Sequence, residues 1–340
     1  MQRRFVFGFL LVYLAVMLVL LPSLNHAVFY GDLTRVGHLP ESSFGWKAPQ
    51  PAIDAADLYS STLAQADVLV IGDSFSASHR WQSVLARQGI KIHTLTWGEV
   101  GDSLCADRVD WLIKQGLRRN SIIIAQSVQR ELMARVAHSL QCPAGSNLPA
   151  LSGLTRQADA PPIVPPGEWL NPDGNLFVGL NTWMNGYRTL SCQDCQFRPW
   201  RARHAVRIAN VPQGCSYFSH RSCTQALFLQ DDRQRLPLDL ALVEEIAAVT
   251  RRIETQRILW LVVPDKSSVY LGGEQVFWPA LEATGLGPDL LNLLRQARAS
   301  TTDLYPGNES HLSTAGFLLM GRATDEFLNR SGPVSIRNSR

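Results

Sequence analysis

The sequence predicts an α/β protein built on a parallel β-sheet, and three observations lead to this prediction. Apolar, β-branched runs recur along the chain with almost no polar alternation, which is typical of strands buried on both faces. Stretches with helical spacing of apolar residues follow them, and successive strand–helix units place their strands in parallel. The composition, with 46% hydrophobic and 18% charged residues, is that of a folded protein. A chain of 340 residues is long enough for one large domain or two ordinary ones.

The chain begins with an apolar segment that predicts a membrane anchor. Phe5 to Leu24 carries no charge and follows Arg3 and Arg4. About 20 apolar residues suffice to cross a membrane as a helix, and the arginines should remain on the cytoplasmic side. A cleaved signal peptide is the alternative, but the residues around Pro22 form a poor cleavage site. We therefore expect a transmembrane signal anchor over residues 1–24, with the rest of the chain outside the cytoplasm.

The remaining elements are predicted from periodicity and turn residues. Residues 25–65 show little periodicity and are expected to form a linker into the main domain. Strands are expected at 68–71, 90–95, 121–125, 258–263 and, as a short edge strand, 301–304. Helices are expected at 78–88, 104–117, 128–139, 238–256, 287–299 and 313–329. Residues 264–270 are expected to form an exit loop, and residues 331–340 a flexible tail.

Residues 142–236 interrupt this order and predict a loop-rich insertion. The stretch is rich in proline and polar residues and holds most of the six cysteines. An even number of cysteines in an exported chain favours disulfides, and we expect local bridges 192–195 and 215–223 with a longer one, 105–142. A zinc site formed by the insertion's cysteines is the less favoured alternative, because an oxidising compartment competes for the thiols.

The first predicted strand ends at Gly72-Asp73-Ser74, where a helical pattern takes over. Gly72 permits a tight turn because it has no Cβ. Ser74 would lie at the start of the helix, where unpaired backbone N–H groups can hold the oxyanion that forms when a hydroxyl attacks an acyl carbon. The alternative is that Ser74 is only the N-cap. The catalytic interpretation therefore requires a base from elsewhere in the chain.

Four polar loops are expected at the carboxyl edge of the sheet, where such folds bind ligands. They lie at 72–74, 98–101, 126–130 and 309–311. This layout can bring Ser74 to His311, which precedes the last predicted helix, and a serine nucleophile needs such a base. A solvent-exposed histidine at a helix start is the alternative for His311. The net charge of +3, without a basic cluster, indicates no nucleic-acid partner.

These motifs resemble the SGNH/GDSL hydrolase superfamily, in which Gly-Asp-Ser lies early and a histidine followed by Leu-Ser-x-x-Gly lies late, as at 311–316 here. Within it, Pro264-Asp265-Lys266 with Tyr270, the Glu309-x-His311 pair and the segment 124–132 resemble the SGNH-like O-acetyltransferases of alginate and other bacterial exopolysaccharides. In those proteins the acid-x-His pair precedes Gly-Asp-Ser, whereas here it follows. The resemblance covers about residues 66–130 and 257–328.

The resemblance implies a flavodoxin-like three-layer SGNH fold and a catalytic domain over residues 66–330. Ser74 would be the nucleophile, His311 its general base and Glu309 the carboxylate that orients His311. The usual acid position of the superfamily is occupied here by Asn308, an amide. That position, Asp303 and a dyad without an acid remain the alternatives to Glu309.

The same resemblance implies an oxyanion hole and substrate contacts. The backbone amides of Ser74 and Gly101 would form the oxyanion hole, with Gly98 the weaker choice of glycine. The superfamily's oxyanion asparagine has no evident match, so Gln126 or Ser127 would have to replace it. Substrate contacts are expected from Arg130, Lys266 and Tyr270, the alternatives being a structural ion pair and a core tyrosine.

The expected function is that of a periplasmic O-acetyltransferase of a bacterial polysaccharide, held in the inner membrane by a single pass and working through an acetyl-serine. The implied partners are the polysaccharide acceptor and a multispan O-acyltransferase that delivers acetyl groups. No cofactor or metal is expected. A carbohydrate acetyl esterase with the same triad, or a non-catalytic SGNH-fold subunit of an export or modification complex, are the alternatives.

Overall fold

The computed structural model describes residues 2–143, 148, 151, 155–167, 170–199, 204–234, 238–273 and 275–330. The expected tail at 331–340 lies outside these residues. The strands are β1 (Tyr59–Ser60), β2 (Val68–Gly72), β3 (Ile92–Thr96), β4 (Ile122–Val128), β5 (Arg156–Gln157), β6 (Asp194–Phe197), β7 (Val206–Asn210), β8 (Gln225–Leu229) and β9 (Arg257–Val263). The helices are α1 (Gln2–Asn25), α2 (Asp32–Gly37), α3 (Glu41–Phe44), α4 (Ser74–Ala77), α5 (Gln82–Ala86), α6 (Ala106–Lys114), α7 (Gln129–Gln141), α8 (Leu176–Thr189), α9 (Gln230–Gln234), α10 (Leu240–Arg251), α11 (Lys266–Tyr270), α12 (Phe277–Ala283), α13 (Leu290–Ala297) and α14 (Thr314–Arg330).

The chain divides into two compact units that interleave along the sequence. Unit 1 comprises Met1–Pro49, Val164–Gln234 and Tyr305–His311. Unit 2 comprises Gln50–Ile163, Arg235–Leu304 and Leu312–Arg340. These bounds differ from the expected linker at 25–65, domain at 66–330 and insertion at 142–236, because each unit is assembled from three separate segments.

Unit 2 is an α/β unit around a four-stranded sheet in the order β3-β2-β4-β9. All three pairings are parallel, so the predicted mixed α/β architecture with a parallel sheet is confirmed. Every residue of β2 and β4 is buried, as expected for apolar strands covered on both faces. The carboxyl ends of these strands carry the Gly-Asp-Ser motif and Gln126.

Several predicted boundaries in unit 2 are wrong. The helix expected at 78–88 is shorter, because only α5 lies within that range. His79, which has a left-handed backbone with φ of 54° and bonds the Leu58 carbonyl through its ring, separates α5 from the preceding short helix α4. Residues 301–304 form turns rather than a strand, and Asp303 also has a positive φ of 55°. The expected exit loop at 264–270 contains α11.

The strand expected at 121–125, which is β4 in the structure, extends further along the chain than its apolar residues. The residues 126–128 were expected in a loop, but they pair with Leu261, Val262 and Val263 at the end of β9. Their side chains are therefore buried within the sheet rather than presented on a loop. Pairing with a long neighbouring strand, which the local sequence does not show, accounts for the extension.

Unit 1 contains an antiparallel sheet in the order β6-β7-β8. The sheet and α8 lie in the stretch expected to be a loop-rich insertion. Its core combines buried residues from the expected linker with residues in or just before the sheet: Leu33, Leu39, Phe44, Cys192, Phe197, Val206, Ile208 and Leu227. Residues 33–44 therefore contribute to a hydrophobic core and do not form an isolated connection.

The first helix, α1, is long and apolar enough to cross a membrane, with a mean hydropathy of 2.7 over its most apolar window. None of that window is buried against protein. The last turn of α1 contacts the second segment of unit 1: the Leu24 carbonyl accepts a hydrogen bond from Asn171 N at 3.1 Å, and Ser23 is buried. The structure thus fits the expected single-pass anchor in its coarse form.

All six cysteines form disulfides, and the pairing is the predicted one. The bridges join Cys105 to Cys142, Cys192 to Cys195 and Cys215 to Cys223. Because every sulfur is used in a disulfide, the alternative of a zinc site on these cysteines is wrong.

Candidate functional site

The serine loop, residues 72–76, follows the end of β2 in unit 2. Asp73 is the N-cap residue of α4, and its Oδ1 accepts a hydrogen bond from Phe75 N at 3.0 Å. Ser74 is the first residue of the helix and is exposed to solvent. The N-cap role proposed as the alternative for Ser74 therefore belongs to Asp73, which leaves the neighbouring hydroxyl at the surface.

Asp73 is the centre of the contacts that hold the serine loop. Its Oδ2 accepts hydrogen bonds from Val128 N at 2.8 Å and from Arg135 Nη1 at 3.0 Å. The Asp73 and Arg135 side chains are only 11% and 14% exposed. Arg135 also lies over the ring of Trp97, 5.0 Å from its centroid. This nearly buried ion pair ties the loop to the end of β4 and to α7.

Gln126 supports the same loop from inside the sheet. Its Oε1 accepts hydrogen bonds from Asp73 N at 3.0 Å and from Ser76 Oγ at 2.8 Å. Its Nε2 is buried and has no hydrogen-bond partner among the described residues. The expected oxyanion donor is therefore shielded from solvent, and the side chain positions the loop instead. Ser127, the other choice, donates its hydroxyl to the Val128 carbonyl at 3.1 Å.

Two glycines show how closely this region is packed. A Cβ at Gly72 would lie 2.5 Å from Ser76 Oγ and 2.8 Å from Gln126 Oε1, so only glycine fits there. Gly101 has a φ of 71° and ends the 3₁₀ helix Trp97–Val100, where its N–H donates to the Gly98 carbonyl at 3.2 Å. The Gly101 amide expected in the oxyanion hole is thus already used by this turn.

A cavity of about 340 Å³ opens beside the serine loop, within unit 2. The ends of β2 and β3 form one wall, and residues 156–158 form another. Its lining is mixed, with apolar, hydroxyl and charged side chains: Gly72, Asp73, Ala77, His79, Thr94, Leu95, Thr96, Arg156, Gln157 and Ala158. The volume is at the lower end of the range of small-molecule sites, so the cavity can take a ligand group of modest size.

The histidine loop, residues 308–311, belongs to unit 1. His311 Nδ1 lies 2.8 Å from Glu309 Oε1, so the carboxylate that was expected to orient the imidazole does contact it. The imidazole is 27% exposed. An Nδ1–H that donates to Glu309 leaves Nε2 as the nitrogen that can act on a substrate or nucleophile, which is the tautomer a general base requires.

A second carboxylate, which the sequence did not indicate, also faces His311. Asp32, the first residue of α2, has its Oδ2 3.5 Å from His311 Nδ1. Its Oδ1 accepts a hydrogen bond from Ser310 N at 2.8 Å, and its Oδ2 accepts one from the Ser310 hydroxyl. An acidic residue in the first turn of a helix is common, and nothing in the sequence connects this one with a histidine 279 positions later.

Asp32, Glu309 and His311 shift one another's pKa values. Burial opposes the charged imidazole, but the hydrogen bonds to Asp32 and Glu309 outweigh it and raise the pKa of His311 to about 9. Burial alone would raise the pKa of Asp32, but the hydrogen bond and charge of His311 lower it to about 2. Burial and then the charge of Asp32 raise the pKa of Glu309. The cluster therefore favours a protonated imidazole at neutral pH.

The alternatives for the triad acid lie elsewhere. Asn308 is fully buried, and its Nδ2 donates to Glu41 Oε2 at 2.8 Å. Asp303 is fully buried in unit 2. Among the described residues of unit 1, Glu309 and Asp32 are the carboxylates that contact the imidazole. These two carboxylates and His311 have donor atoms within 4.8 Å of one another, as a metal site would, but their mutual hydrogen bonds account for the arrangement and we assign no metal to them.

The three expected substrate contacts are largely internal. Arg130 Nη1 forms an ion pair with Asp265 Oδ1 at 2.9 Å, and the two side chains are 15% and 3% exposed. Lys266 is 1% exposed and Tyr270 5% exposed, both within α11. These contacts match the structural alternative that the sequence left open, namely an ion pair and a core tyrosine.

The structure brings the predicted residues together in two groups. Glu309 and His311 meet in unit 1, and in unit 2 Gln126 on β4 supports the loop that carries Ser74. No protein-family profile, characterised protein or solved structure matches the chain. The local geometry of each group therefore provides the evidence on function.

Proposed function

We propose that this protein is a membrane-anchored SGNH-type O-acetyltransferase that modifies a polysaccharide outside the cytoplasm through an acetyl-Ser74 intermediate. The observation that supports it most is the 2.8 Å contact between Glu309 Oε1 and His311 Nδ1. A carboxylate that holds Nδ1 of an imidazole is the acid–histidine part of a serine–histidine–acid triad, which recurs on unrelated folds.

Further features agree with the proposal. Ser74 is exposed on a supported loop after a buried parallel strand, as a nucleophile should be. The sheet order places the first parallel strand of unit 2 between the second and third, as in the flavodoxin-like arrangement that the SGNH fold shares. The apolar helix α1 would hold the enzyme at the inner membrane, where a multispan partner could supply acetyl groups.

The proposed reaction has two steps with the same residues. His311 Nε2 takes the proton of the Ser74 hydroxyl while Oγ attacks the acetyl carbonyl carbon of the donor, and the donor oxygen leaves with that proton. A polysaccharide hydroxyl then gives its proton to His311 and attacks the acetyl-serine. Ser74 Oγ leaves and recovers the proton, so the acetyl group moves and nothing is oxidised or reduced. This sequence requires Ser74 and His311 to meet during the reaction.

A non-catalytic binding subunit with the same fold is the second candidate. This candidate is favoured because two expected oxyanion donors are not directed at a substrate. Gln126 Nε2 is buried, and the Gly101 N–H donates within its own turn. Loss of one such donor typically costs an enzyme about 10²–10³-fold in rate. Activity measurements separate this candidate from the enzyme.

The test uses the full chain in detergent with a chromogenic acetyl ester, with and without an oligosaccharide acceptor. We expect acetyl transfer that falls by about 10³-fold or more in Ser74→Ala and in His311→Ala. Ser78→Ala is the matched control, because this nearby hydroxyl has no hydrogen-bond partner among the described residues, and it should leave the rate unchanged.

The outcomes are distinct. Transfer to the acceptor supports the acetyltransferase, and Ser74-dependent hydrolysis without transfer indicates the esterase. Turnover that survives Ser74→Ala contradicts the acetyl-Ser74 intermediate and indicates a different nucleophile. No turnover at all contradicts the proposal and leaves the binding subunit.

A further inference from the structure

We infer that Asp32 is a positioning residue for His311, and that it shares the imidazole Nδ1 with Glu309 and holds the histidine loop in place. The inference rests on the proposed function only for its effect on catalysis. The geometry itself lies entirely within unit 1, which contains Asp32, Glu309 and His311.

The first support is a set of reciprocal hydrogen bonds between the start of α2 and the histidine loop. Asp32 N donates to Glu309 Oε2 at 3.3 Å, and Ser310 N donates to Asp32 Oδ1 at 2.8 Å. One residue further on, Leu33 N donates to the Asn308 carbonyl at 3.0 Å. Asp32 therefore orients the carboxylate of Glu309 as well as the loop that carries the imidazole.

The second support is that Gly31 allows the start of α2 to lie close to the histidine loop. A Cβ at Gly31 would overlap both the side chain and the carbonyl oxygen of Asn308. Glu41 completes the arrangement from the other side, because it accepts hydrogen bonds from Tyr30 N at 2.9 Å, from Gly31 N at 2.8 Å and from Asn308 Nδ2 at 2.8 Å. Residues 30–32 are thus fixed on both sides against residues 308–310.

The third support is electrostatic. Among the described residues of unit 1, Asp32 faces the imidazole from the first turn of α2 and Glu309 faces it from the histidine loop itself. Two carboxylates around one imidazole favour its protonated form more strongly than one does. The raised pKa of His311 and the lowered pKa of Asp32 agree with this arrangement.

The consequence for catalysis is a shift of the active pH range. A general base must be neutral before it can take a proton, so an imidazole held protonated by Asp32 becomes a base only in alkaline solution. Asp32 would thereby set the acid limb of the pH–rate profile, while Glu309 keeps Nδ1 protonated and directed at its own carboxylate.

The test combines a titration with a rate profile on the full chain in detergent. NMR of isotope-labelled histidine follows His311, assigned by its absence in His311→Gln. We expect wild-type His311 to titrate well above its ordinary value of about 6.5, and Asp32→Asn to lower that pKa by about one unit or more. The acid limb of kcat/KM for the chromogenic acetyl ester should move down by the same amount.

Glu41→Gln is the matched control, because Glu41 belongs to the same set of hydrogen bonds but faces Asn308 rather than the imidazole. It should lower thermal stability without moving the titration of His311. If Asp32 had a purely structural role, Asp32→Asn would also leave the titration of His311 unchanged.

The outcomes separate the inference from the proposed function. A wild-type His311 that titrates at or below its ordinary value overturns the inference, and that measurement requires no variant to fold. A folded Asp32→Asn protein in which the His311 titration is unchanged overturns it as well. A shifted titration in a protein without esterase or transferase activity supports the role of Asp32 and removes the proposed function.

Discussion

The serine loop and the histidine loop are held by different means. The serine loop follows a buried strand, and its supports come from neighbouring elements of a parallel sheet: Gln126 and Val128 on β4 and Arg135 on α7. The histidine loop does not follow a strand, and the hydrogen bonds described for it come from residues 30–41, near the other end of the chain. Sheet geometry therefore positions the serine, whereas individual side-chain hydrogen bonds position the histidine.

The two units that carry these loops also differ in their disulfides. Removing a disulfide is expected to give the largest change in the free energy of unfolding. Cys105–Cys142 in unit 2 joins residues 37 apart, whereas Cys192–Cys195 in unit 1 joins residues 3 apart. Chain entropy assigns about 4 kcal/mol to the longer loop and less than about 2 kcal/mol to the shorter one. The double variant Cys105→Ser/Cys142→Ser should lose correspondingly more free energy of unfolding than Cys192→Ser/Cys195→Ser in denaturant titrations. Equal losses would show that the entropic ranking does not distinguish the units.

The next effect tests the ion pair that supports the serine loop. Asp73→Ala removes the acceptor of Val128 N and leaves the nearly buried Arg135 without its partner. We expect a loss of about 2–4 kcal/mol in the free energy of unfolding, measured by denaturant titration. Glu282→Ala is the control, because the Glu282–Arg330 pair is 39% and 64% exposed and should contribute less than about 1 kcal/mol. Similar losses in both variants would refute the distinction.

The smallest effect compares the two loops by adding a single methyl group. Gly72→Ala in the serine loop and Gly31→Ala beside the histidine loop each place a Cβ against polar atoms, and each should cost about 1–3 kcal/mol. Gly98→Ala in unit 2 and Gly167→Ala in unit 1 meet no atom within 4 Å and should change stability by less than about 0.5 kcal/mol. Thermal unfolding measures all four.

A penalty in Gly31→Ala that equals that of Gly167→Ala would contradict the close approach of residues 31 and 308. The same result in Gly72→Ala would contradict the tight contact with Ser76 and Gln126. Each loop can thus be tested without touching Ser74 or His311.

The sequence predicted the fold best where a continuous apolar run forms a strand that is buried on both faces. The runs at 68–71, 121–125 and 258–263 predicted parallel strands because both faces of such strands are covered, and the sheet confirms them. The disulfide pairing could also be predicted, because nearby cysteines in an exported chain bridge locally. The contact between Glu309 and His311 could be predicted because the two residues lie two positions apart on one loop.

Other features depended on contacts between distant segments. The break at His79 follows from a tertiary hydrogen bond to Leu58, and the extension of β4 follows from the length of β9. Asp32 could not be connected with His311 because a short helix after an apolar segment has no periodicity that indicates its partner. The sheet of unit 1 was missed because proline-rich flanks and polar residues obscured three short strands.

The interleaving of the units has a consequence for biogenesis. Unit 1 takes its first segment from the amino terminus and its last, Tyr305–His311, from near the carboxyl terminus. During synthesis, α1 and the sheet of unit 1 are made long before the histidine loop that completes their fold. The first two segments of unit 1 must therefore wait, with Asp32 and Glu41 still lacking their partners at 308–310, until almost the whole polypeptide has been made, and a chain truncated before residue 305 would lack the segment that these acids hold.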